Sequence, residues 1–461
     1  MTKRREPNGT EYAPPRGMSF LLAIHIIWAL GAALFIARQQ RIPASAGIWI
    51  ILVLLLPIVG TLLYILAGYR RRNSGPTPPT ADGEPLEHLI FRGCGTRSTN
   101  FNHIEILHNG NNAFTALITS LQRATRSIHM EYYIFRDDRI GRTIADILIR
   151  KARAGVEVRL LYDAIGSWKL GQKMLRRMHE AGIHTAACRP VRFPWFTPEV
   201  ARRNHRKIVV TDGKVAYIGG INIAKYYLDG NYMGKWRDEH LRLEGDAVAD
   251  LQRLFLADWA RSRGESLDPG LHIAPHTIRE RLTIQLAWSE EGASRTTLAE
   301  AFAALIIRAR QRVRVCSPYF LPPVLILDAL RLAAHSGVRV QVMIPTSSDS
   351  RLTDIVSDSY IEDILDAGVE IYRYDNGFLH AKSAIIDDHT AWIGTANMDY
   401  RSLVDNLEVT AFIRSERIAR QLARSFDDDL ASCVKIDRAS WHPPLWRRTL
   451  GDIVRLASPL M

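Results

Sequence analysis

Two long apolar stretches open the chain. The first covers residues 18–37 (MSFLLAIHIIWALGAALFIA) and the second residues 46–67 (AGIWIILVLLLPIVGTLLYILA), and neither contains a formally charged side chain. As helices rising about 1.5 Å per residue, each is long enough to cross a hydrocarbon core of about 30 Å. The pattern therefore predicts a two-helix transmembrane hairpin.

Basic residues flank this hairpin on its outer sides. Residues 3–16 contain four basic side chains before the first stretch, and Arg70, Arg71 and Arg72 follow the second, whereas the loop between them holds only Arg38 and Arg41. Positive residues are retained on the cytoplasmic side of a membrane. Both ends of the hairpin are therefore expected in the cytoplasm.

Beyond residue 100 the apolar pattern alternates between helical and strand periods. LITSLQRATRSI has the spacing of an amphipathic helix and is followed by the strand-like HMEYYIF; TIADILIRKARAG and VEVRLLYD repeat the sequence of helix and strand. The same order returns in AFAALIIRAR with RVRVCSPYF, and in ILDALRLAAHSG with VRVQVMIP. This repetition predicts a duplicated α/β unit built on a largely parallel sheet covered by helices.

These patterns divide the chain into five parts. We predict a membrane anchor over 1–72, a Ser/Gly/Pro-rich linker over 73–100, two α/β domains over 101–275 and 276–435, and a tail over 436–461. The tail has the pattern of an amphipathic helix, which could lie on the membrane or pack against the body.

The clearest repeat carries polar residues on strand-like segments. RNHRKIVVTDGKVAYIGGINI in the first half corresponds to FLHAKSAIIDDHTAWIGTANM in the second. Each contains His-x-Lys-x-x-x-x-Asp followed by an asparagine, and 175 positions separate every counterpart. The candidate residues are His205, Lys207, Asp212 and Asn222 with His380, Lys382, Asp387 and Asn397.

Strand geometry explains the spacing of this motif. Residues two apart on a strand point to one face, so each His shares a face with its Lys. Asp212-Gly213 and Asp388-His389 mark turns into a second strand, which gives a hairpin. Two related hairpins meeting across a pseudo-twofold axis would place both histidines around one phosphate.

Such a pair of histidines could divide the work of group transfer. One neutral imidazole would attack phosphorus, and the other would protonate the leaving alkoxide and later accept a proton from the acceptor hydroxyl. The two lysines and the two asparagines would hold the non-bridging oxygens. We expect no metal or other cofactor, because the site carries its own positive charge and the sequence lacks a carboxylate cluster suited to Mg²⁺.

Carboxylates that orient the histidines are expected downstream. Asp238 lies 33 residues after His205, and Glu408 lies 28 residues after His380. A catalytic imidazole usually needs such a group to fix its tautomer, so we assign these two that role. For the motif aspartates, Asp212 and Asp387, we favour a structural role in holding the hairpin.

Charge helps to choose between an acidic membrane and nucleic acid as partner. The net charge is +12, of which residues 1–75 contribute +7 (nine basic against two acidic side chains), leaving +5 on the rest. A nucleic-acid groove would need the excess on the body. The four cysteines are scattered without a Cys-x-x-Cys pair, which implies neither a zinc site nor a disulfide framework.

The paired motifs resemble the hallmark of the phospholipase D superfamily. RNHRKIVV, WRDEHLRLEG and GTANMDYRSL, together with the apolar hairpin and the terminal SPLM, look like the cardiolipin synthase branch. The resemblance implies two pseudo-symmetric phospholipase D-like α/β/α sandwich domains behind the transmembrane hairpin. It also implies that His205 forms the covalent intermediate and that His380 is the acid and base.

The resemblance further implies a reaction and a location. Two phosphatidylglycerols would give cardiolipin and glycerol at the bacterial inner (cytoplasmic) membrane, with the catalytic body facing the cytoplasm. The expected partners are phosphatidylglycerol and the lipid bilayer, without nucleic acid; the oligomeric state stays open. Alternatives are another phospholipase D-type phosphatidyltransferase, a phospholipid hydrolase, or a phosphodiesterase nuclease, which the two apolar spans disfavour.

Overall fold

A computed structural model describes residues 16–39, 43–65, 84–190, 202–290 and 296–456. The chain separates into two compact units, residues 1–71 and residues 72–461. The first corresponds to the apolar N-terminal region, and the second contains both repeats of the motif.

Helices make up the described part of the N-terminal unit: α1 (Arg16–Gln39), α2 (Pro43–Leu55) and α3 (Pro57–Leu63). The helix is interrupted at Leu56, with φ −134° and ψ 70°, because proline at the next position disfavours helical backbone there. Trp28 on α1 donates a hydrogen bond to Thr61 on α3 (3.2 Å), so these helices pack together. Within the described residues, no helix combines the length and the apolar content that a bilayer crossing requires.

The first repeat of the body alternates strands and helices up to a long helix, α9. Its elements are α4 (Pro85–Cys94), β1 (Thr99–His108), α5 (Asn109–Arg123), β2 (Ser127–Tyr132), α6 (Arg139–Arg153), β3 (Glu157–Asp163), α7 (Gln172–Glu180), β4 (His184–Cys188), β5 (Lys207–Thr211), β6 (Val215–Gly219), α8 (Tyr226–Asp229), β7 (Trp236–Arg237), β8 (Glu239–Gly245) and α9 (Ala247–Arg263).

The second repeat follows a similar order, with additional two-residue strands, and adds a terminal strand and helix. Its elements are β9 (Arg281–Trp288), α10 (Thr297–Arg308), β10 (Arg312–Cys316), β11 (Phe320–Leu321), α11 (Val324–His335), β12 (Arg339–Pro345), α12 (Arg351–Asp366), β13 (Glu370–Tyr374), β14 (Phe378–Leu379), β15 (Ser383–Ile386), β16 (Thr390–Gly394), β17 (Met398–Asp399), β18 (Val409–Arg414), α13 (Glu416–Leu430), β19 (Cys433–Ile436) and α14 (Leu445–Leu456).

The strands of both repeats join, among the described residues, in a mixed sheet of 15 strands. Its order is β19-β13-β12-β10-β15-β16-β18-β9-β1-β8-β6-β5-β2-β3-β4, nearly symmetric about the β9–β1 contact. The α/β class is confirmed, but the expectation of a largely parallel sheet is wrong. Only β2-β3-β4 and β10-β12-β13 run parallel in it, because the motif hairpins and the strands beside them return antiparallel.

Part of the predicted linker belongs to the body. Residues 73–83 lie outside the described residues, but α4 places Leu86, Ile90 and Cys94 on one face by their four-residue spacing, and all three are buried. The Cys94 thiol donates to the carbonyl of Trp288 on β9 (3.1 Å). The linker prediction is therefore wrong from Pro85 onward, since the Pro and Gly content around it concealed a short amphipathic helix.

Within the tail, Leu445–Leu456 form the helix α14. It lies along α12, where Arg455 pairs with Asp363 (2.6 Å) and Arg447 with Asp358 (2.7 Å). Of the two placements considered from the sequence, packing against the body is the one found. Residues 457–461 lie outside the described residues.

Candidate active site

Each motif forms the predicted hairpin, β5–β6 in the first repeat and β15–β16 in the second. Asp212 and Asp387 occupy the turns with left-handed φ values of 54° and 50°. Asp212 accepts hydrogen bonds from the backbone N–H groups of residues 125–127 (2.7–3.1 Å), and Asp387 from those of residues 310–312 (2.8–2.9 Å). Both aspartates thus lie at the end of the hairpin away from the motif lysine and fasten it to the neighbouring strand.

The two carboxylates predicted to orient the histidines do contact them, but each crosses to the other repeat. Nδ1 of His205 lies 2.9 Å from Oε1 of Glu408, and Nδ1 of His380 lies 2.6 Å from Oδ2 of Asp238. Both carboxylates are fully buried. The pairing within each half that the sequence distances suggested is therefore wrong.

Backbone pairing between the repeats produces this exchange. The N–H of His205 donates to the carbonyl of Leu407 (2.9 Å), directly before Glu408. On the other side, β7 pairs in parallel with β14, and the N–H of His380 donates to the carbonyl of Arg237 (2.7 Å), directly before Asp238. Each histidine therefore enters the site beside the carboxylate of the opposite repeat.

Small residues in the two repeats adapt to the different carboxylates. A Cβ on Gly220 would come within 2.1 Å of Oδ1 of Asp238, so the shorter side chain approaches bare backbone. Thr395, its counterpart, instead donates its hydroxyl to Glu408. One carboxylate is thus packed against backbone and the other held by a hydroxyl.

The motif lysines lie behind the histidines and are almost fully buried. Nζ of Lys207 donates to the carbonyl of His205 (2.6 Å), and Nζ of Lys382 donates to the carbonyl of His380. Burial lowers the pKa of Lys207 to about 7 and that of Lys382 to about 8, although Glu408 and Asp238 respectively oppose the shift. Negative charge brought close to either ammonium group would therefore oppose this lowering of its pKa.

Burial makes both histidine rings harder to protonate. Burial lowers the pKa of both; for His205, Glu408 opposes this effect, whereas for His380 the ammonium of Lys382 adds to it. Because Nδ1–H of His380 donates to Asp238, the approach of Nζ of Lys382 to the same nitrogen (2.9 Å) is a contact between two donors. Nε2 of each ring is left with the lone pair.

Both asparagines reach the same cavity as the histidines. Oδ1 of Asn222 accepts from the N–H of Ile134 (3.1 Å), which fixes its amide. Nδ2 of Asn397 donates to Asp399 (3.1 Å), and its Oδ1 is buried without a partner among the described residues. The two amides are positioned differently although their sequence offsets are identical.

His205 and His380 line one cavity of about 1010 Å³. Its wall also contains residues that the motif did not indicate: Tyr133 lies edge-on to His205 (4.9 Å between ring centroids), and Tyr227 and Trp236 surround His380. Asp399 was within reach of sequence reasoning, because GTANMDYRSL contains it. Tyr133 directly follows β2, whereas Tyr227 lies on α8 and Trp236 on β7, and none of the three is marked by a motif in the sequence.

A group of possible metal ligands occurs elsewhere. Of the described residues, His129, Glu157 and His272 bring ligand atoms within 4.8 Å of one another. None of the three lines the cavity, and Arg159 already pairs with Glu157. The chemistry of the histidine pair does not involve this group.

Comparison with known proteins agrees with this site. The family model described as "Cardiolipin synthase, PLD-like domain" matches residues 117–259 and 302–430. Cardiolipin synthase 2 of Bacillus cereus is 37% identical over 94% of this chain and 89% of its own, and Major cardiolipin synthase ClsA of Bacillus subtilis is 32% identical over 96% of this chain and 99% of its own.

A solved structure supports the fold. Phosphatidylserine synthase of Haemophilus influenzae superimposes with a TM-score of 0.61 at 14% identity, covering 78% of this chain and 95% of that one. The likeness extends to the architecture alone. Because one family model matches both repeats and relatives above 30% identity are covered over most of their length, the chain belongs to the cardiolipin synthase family of phospholipase D-like proteins.

Proposed function

We propose that this protein is a cardiolipin synthase that transfers a phosphatidyl group from one phosphatidylglycerol to another. The observation that carries the proposal is the arrangement of His205 and His380, which line one cavity with Nδ1 of each ring held by a buried carboxylate. An imidazole fixed in this way presents Nε2 to a phosphodiester.

The first half of the reaction forms a phosphohistidine. Nε2 of His205 attacks phosphorus of the first lipid, and the bond from phosphorus to the glycerol headgroup breaks. The protonated His380 gives its proton to the departing glycerol oxygen. The choice of His205 as nucleophile follows from the resemblance to the superfamily, because the two sites are built alike.

In the second half, a hydroxyl of another phosphatidylglycerol replaces the histidine. His380 takes the proton of this hydroxyl, the oxygen attacks phosphorus, and the bond from phosphorus to Nε2 of His205 breaks. The products are cardiolipin and one glycerol, and His380 ends protonated, as it began. The protons and the bonds to phosphorus are therefore conserved over the cycle.

Charge at the site supports this sequence of steps. Lys207 and Lys382 offset the negative charge that develops on the non-bridging oxygens, and the amides of Asn222 and Asn397 can bind the same oxygens. An anionic phosphodiester also counteracts the lysines and raises the pKa of His380. Substrate entry thus favours the protonated form of His380 that an acid needs.

The N-terminal unit fits a membrane anchor with spans near 18–37 and 46–67 and both ends in the cytoplasm. Apolar side chains on its helices are largely exposed, among them Ile27 (70%), Leu55 (72%) and Ile58 (73%). Such surface is stable in hydrocarbon and unfavourable in water. Labelling of single cysteines in intact and in opened inner-membrane vesicles tests this topology. A cysteine at residue 3 that reacts only from the periplasmic side would contradict it.

The function is tested with full-length protein and phosphatidylglycerol in mixed micelles. We expect cardiolipin and glycerol in equal amounts, and a phosphatidyl adduct that disappears in His205→Ala and whose bond from phosphorus to nitrogen is broken by acid but not by alkali. His380→Ala should abolish turnover as well. Phosphatidic acid as the sole product would instead assign a hydrolase, transfer only to another alcohol a different phosphatidyltransferase, and cleavage of DNA lost in His205→Ala a nuclease.

A further inference from the structure

Exposed apolar side chains lie on, or close in sequence to, the segments that line the cavity of the two histidines. Trp168 (74% exposed) precedes Lys169, which lines the cavity; Tyr232 (84%) lines it directly. In the second repeat, Val324 (71%) lies three residues after the lining residue Leu321, and Leu352 (45%) lies between the lining residues Ser350 and Thr353. We call Trp168, Tyr232, Val324 and Leu352 the cavity rim.

The segment that carries Trp168 is held in place by its own hydrogen bonds. Asp163 accepts from the N–H groups of Ile165 (3.0 Å) and Gly166 (2.9 Å), and the hydroxyl of Ser167 donates to the carbonyl of Tyr133 (2.9 Å). A Cβ on Gly166 would come within 2.3 Å of that carbonyl, so the turn packs tightly. The indole is therefore kept in solvent by a well-braced turn.

Cations without carboxylate partners lie on the aromatic residues at this mouth. Nζ of Lys169 lies 4.9 Å from the ring of Trp168, and the guanidinium of Arg136, which also lines the cavity, lies 4.9 Å from the ring of Tyr226. Within the described residues, neither cation has an acidic side chain in ion-pair range. Aromatic rings beside free cations suit the boundary between an anionic headgroup layer and its acyl chains.

We infer that the cavity rim is the surface by which the catalytic body rests on an anionic lipid bilayer, so that headgroups enter the cavity without their acyl chains leaving the leaflet. The inference rests on the proposed function, since it concerns delivery of that substrate. It commits to a lipid surface because Lys169 and Arg136, which have no ion-pair partner among the described residues, line the cavity together with the exposed Tyr232, and because a diacyl lipid has a large apolar area that favours staying in the bilayer. Elements of both repeats would then touch the membrane together.

The inference is tested by the depth of a nitroxide in the membrane. Full-length Trp168→Cys and Leu271→Cys, each combined with Cys433→Ser, are labelled and reconstituted in phosphatidylglycerol vesicles. Leu271 is a matched control because it is 66% exposed and lies away from the cavity. Its carbonyl accepts a hydrogen bond from Arg126, which adjoins the hairpin turn at Asp212. This turn is at the end of β5 opposite to Lys207. Cys94, Cys188 and Cys316 are buried and should not react.

We expect the label at position 168 to collide more with dissolved oxygen than with a water-soluble nickel chelate, and the label at position 271 to show the reverse. Equal, water-like behaviour at both positions would overturn the inference. So would spin–spin coupling at position 168 without contact with oxygen, because this identifies a second copy of the chain as the occupant of the rim.

Turnover supplies a second measurement. Trp168→Ser and Val324→Ser together should raise KM for long-chain phosphatidylglycerol in vesicles about tenfold, and leave kcat/KM for a short-chain monomeric analogue unchanged. Equal losses on both substrates would overturn the inference. If the wild-type protein forms no cardiolipin in micelles, the proposed function fails first; if it does and the rim label stays in water, only the rim assignment fails.

Discussion

At the scale of single residues, the histidines depend on carboxylates supplied by the opposite repeat. Glu408→Gln leaves Nδ1 of His205 with a neutral partner, so we expect the phosphohistidine to form about 10²- to 10⁴-fold more slowly, with folding intact. Asp238→Asn should instead slow both formation and breakdown of the adduct, because His380 transfers a proton in each half of the reaction. Rapid-quench measurement of both rates separates the two variants, since breakdown should be slow only in Asp238→Asn. Glu239→Gln, which changes a neighbouring buried carboxylate, is the control. If Asp238→Asn slowed formation of the adduct and Glu408→Gln did not, the crossed pairing would be contradicted.

The same residues predict the pH dependence of turnover. Burial raises the pKa of Asp238 to about 6, opposed chiefly by Lys382, so this carboxylate is protonated below that pH and no longer stabilises a protonated His380. Lys207, with its pKa lowered to about 7, loses its charge as the pH rises, and Lys382 follows near 8. We therefore expect kcat/KM to peak between about pH 6 and 8.

A variant tests the assignment of the alkaline side of this profile. Lys207→Arg keeps a positive charge at every pH used, although its larger head lowers the maximal rate. The alkaline decline of kcat/KM should move upward by about one pH unit or more, because only Lys382 then titrates. An unchanged profile would show that the lysines do not control it.

At the scale of elements, the motif aspartates fasten the hairpins. Asp387→Ala removes the acceptor of three backbone N–H groups and places alanine at a φ of 50°. We expect the apparent free energy of unfolding to fall by about 1–3 kcal/mol, with turnover per folded molecule largely retained. Urea unfolding followed by circular dichroism measures this. Asp428→Asn on exposed helix surface is the control, and a loss of turnover without loss of stability would instead assign Asp387 a catalytic role.

Elements could be predicted from the sequence where their causes are local. The β5–β6 and β15–β16 hairpins follow from alternating apolar residues and turn chemistry, and the duplication follows from constant spacing. The antiparallel return of β8 and β18 could not be predicted, since strand direction depends on which edge is free. Helix α4 was missed because its few apolar residues lie between Pro85 and Gly95 and give a weak pattern.

The candidate site likewise combines features that the local sequence predicts with features that only the fold determines. Both motifs and both carboxylates were identifiable, because their residue types and offsets recur. Their partners were not, since the pairing of β7 with β14 joins segments 142 residues apart at Asp238 and His380. Tyr227 and Trp236 likewise contact His380 from a distant part of the chain, so these contacts were not predictable either. Distance along the chain therefore assigned each histidine to the wrong carboxylate, because only the assembled sheet determines which carboxylate contacts which histidine.

At the scale of the whole molecule, neither repeat contains a complete site. His205 and Lys207 depend on Glu408, and one apolar core includes Ile218 of the first repeat together with Trp392 of the second. The repeats should therefore stay joined when the chain between them is cut. The segment after α9 suits such a cut, because residues 264–266 are exposed and a side chain at Gly264 would meet open space.

We predict that full-length protein with a protease site inserted after Ser266 keeps its activity when cleaved. The two fragments should elute as one particle from a sizing column in detergent, since the crossed strands and the shared core hold them without the peptide link. As the urea concentration increases, activity and fragment association should be lost together, because separation of the fragments removes Glu408 from His205 and Asp238 from His380 at the same time. The uncleaved insertion variant controls for the added residues. Turnover that survives separation of the fragments would mean that one repeat can complete its own site. Two identical first repeats could do this by exchanging Asp238. The requirement for two different halves would then be wrong.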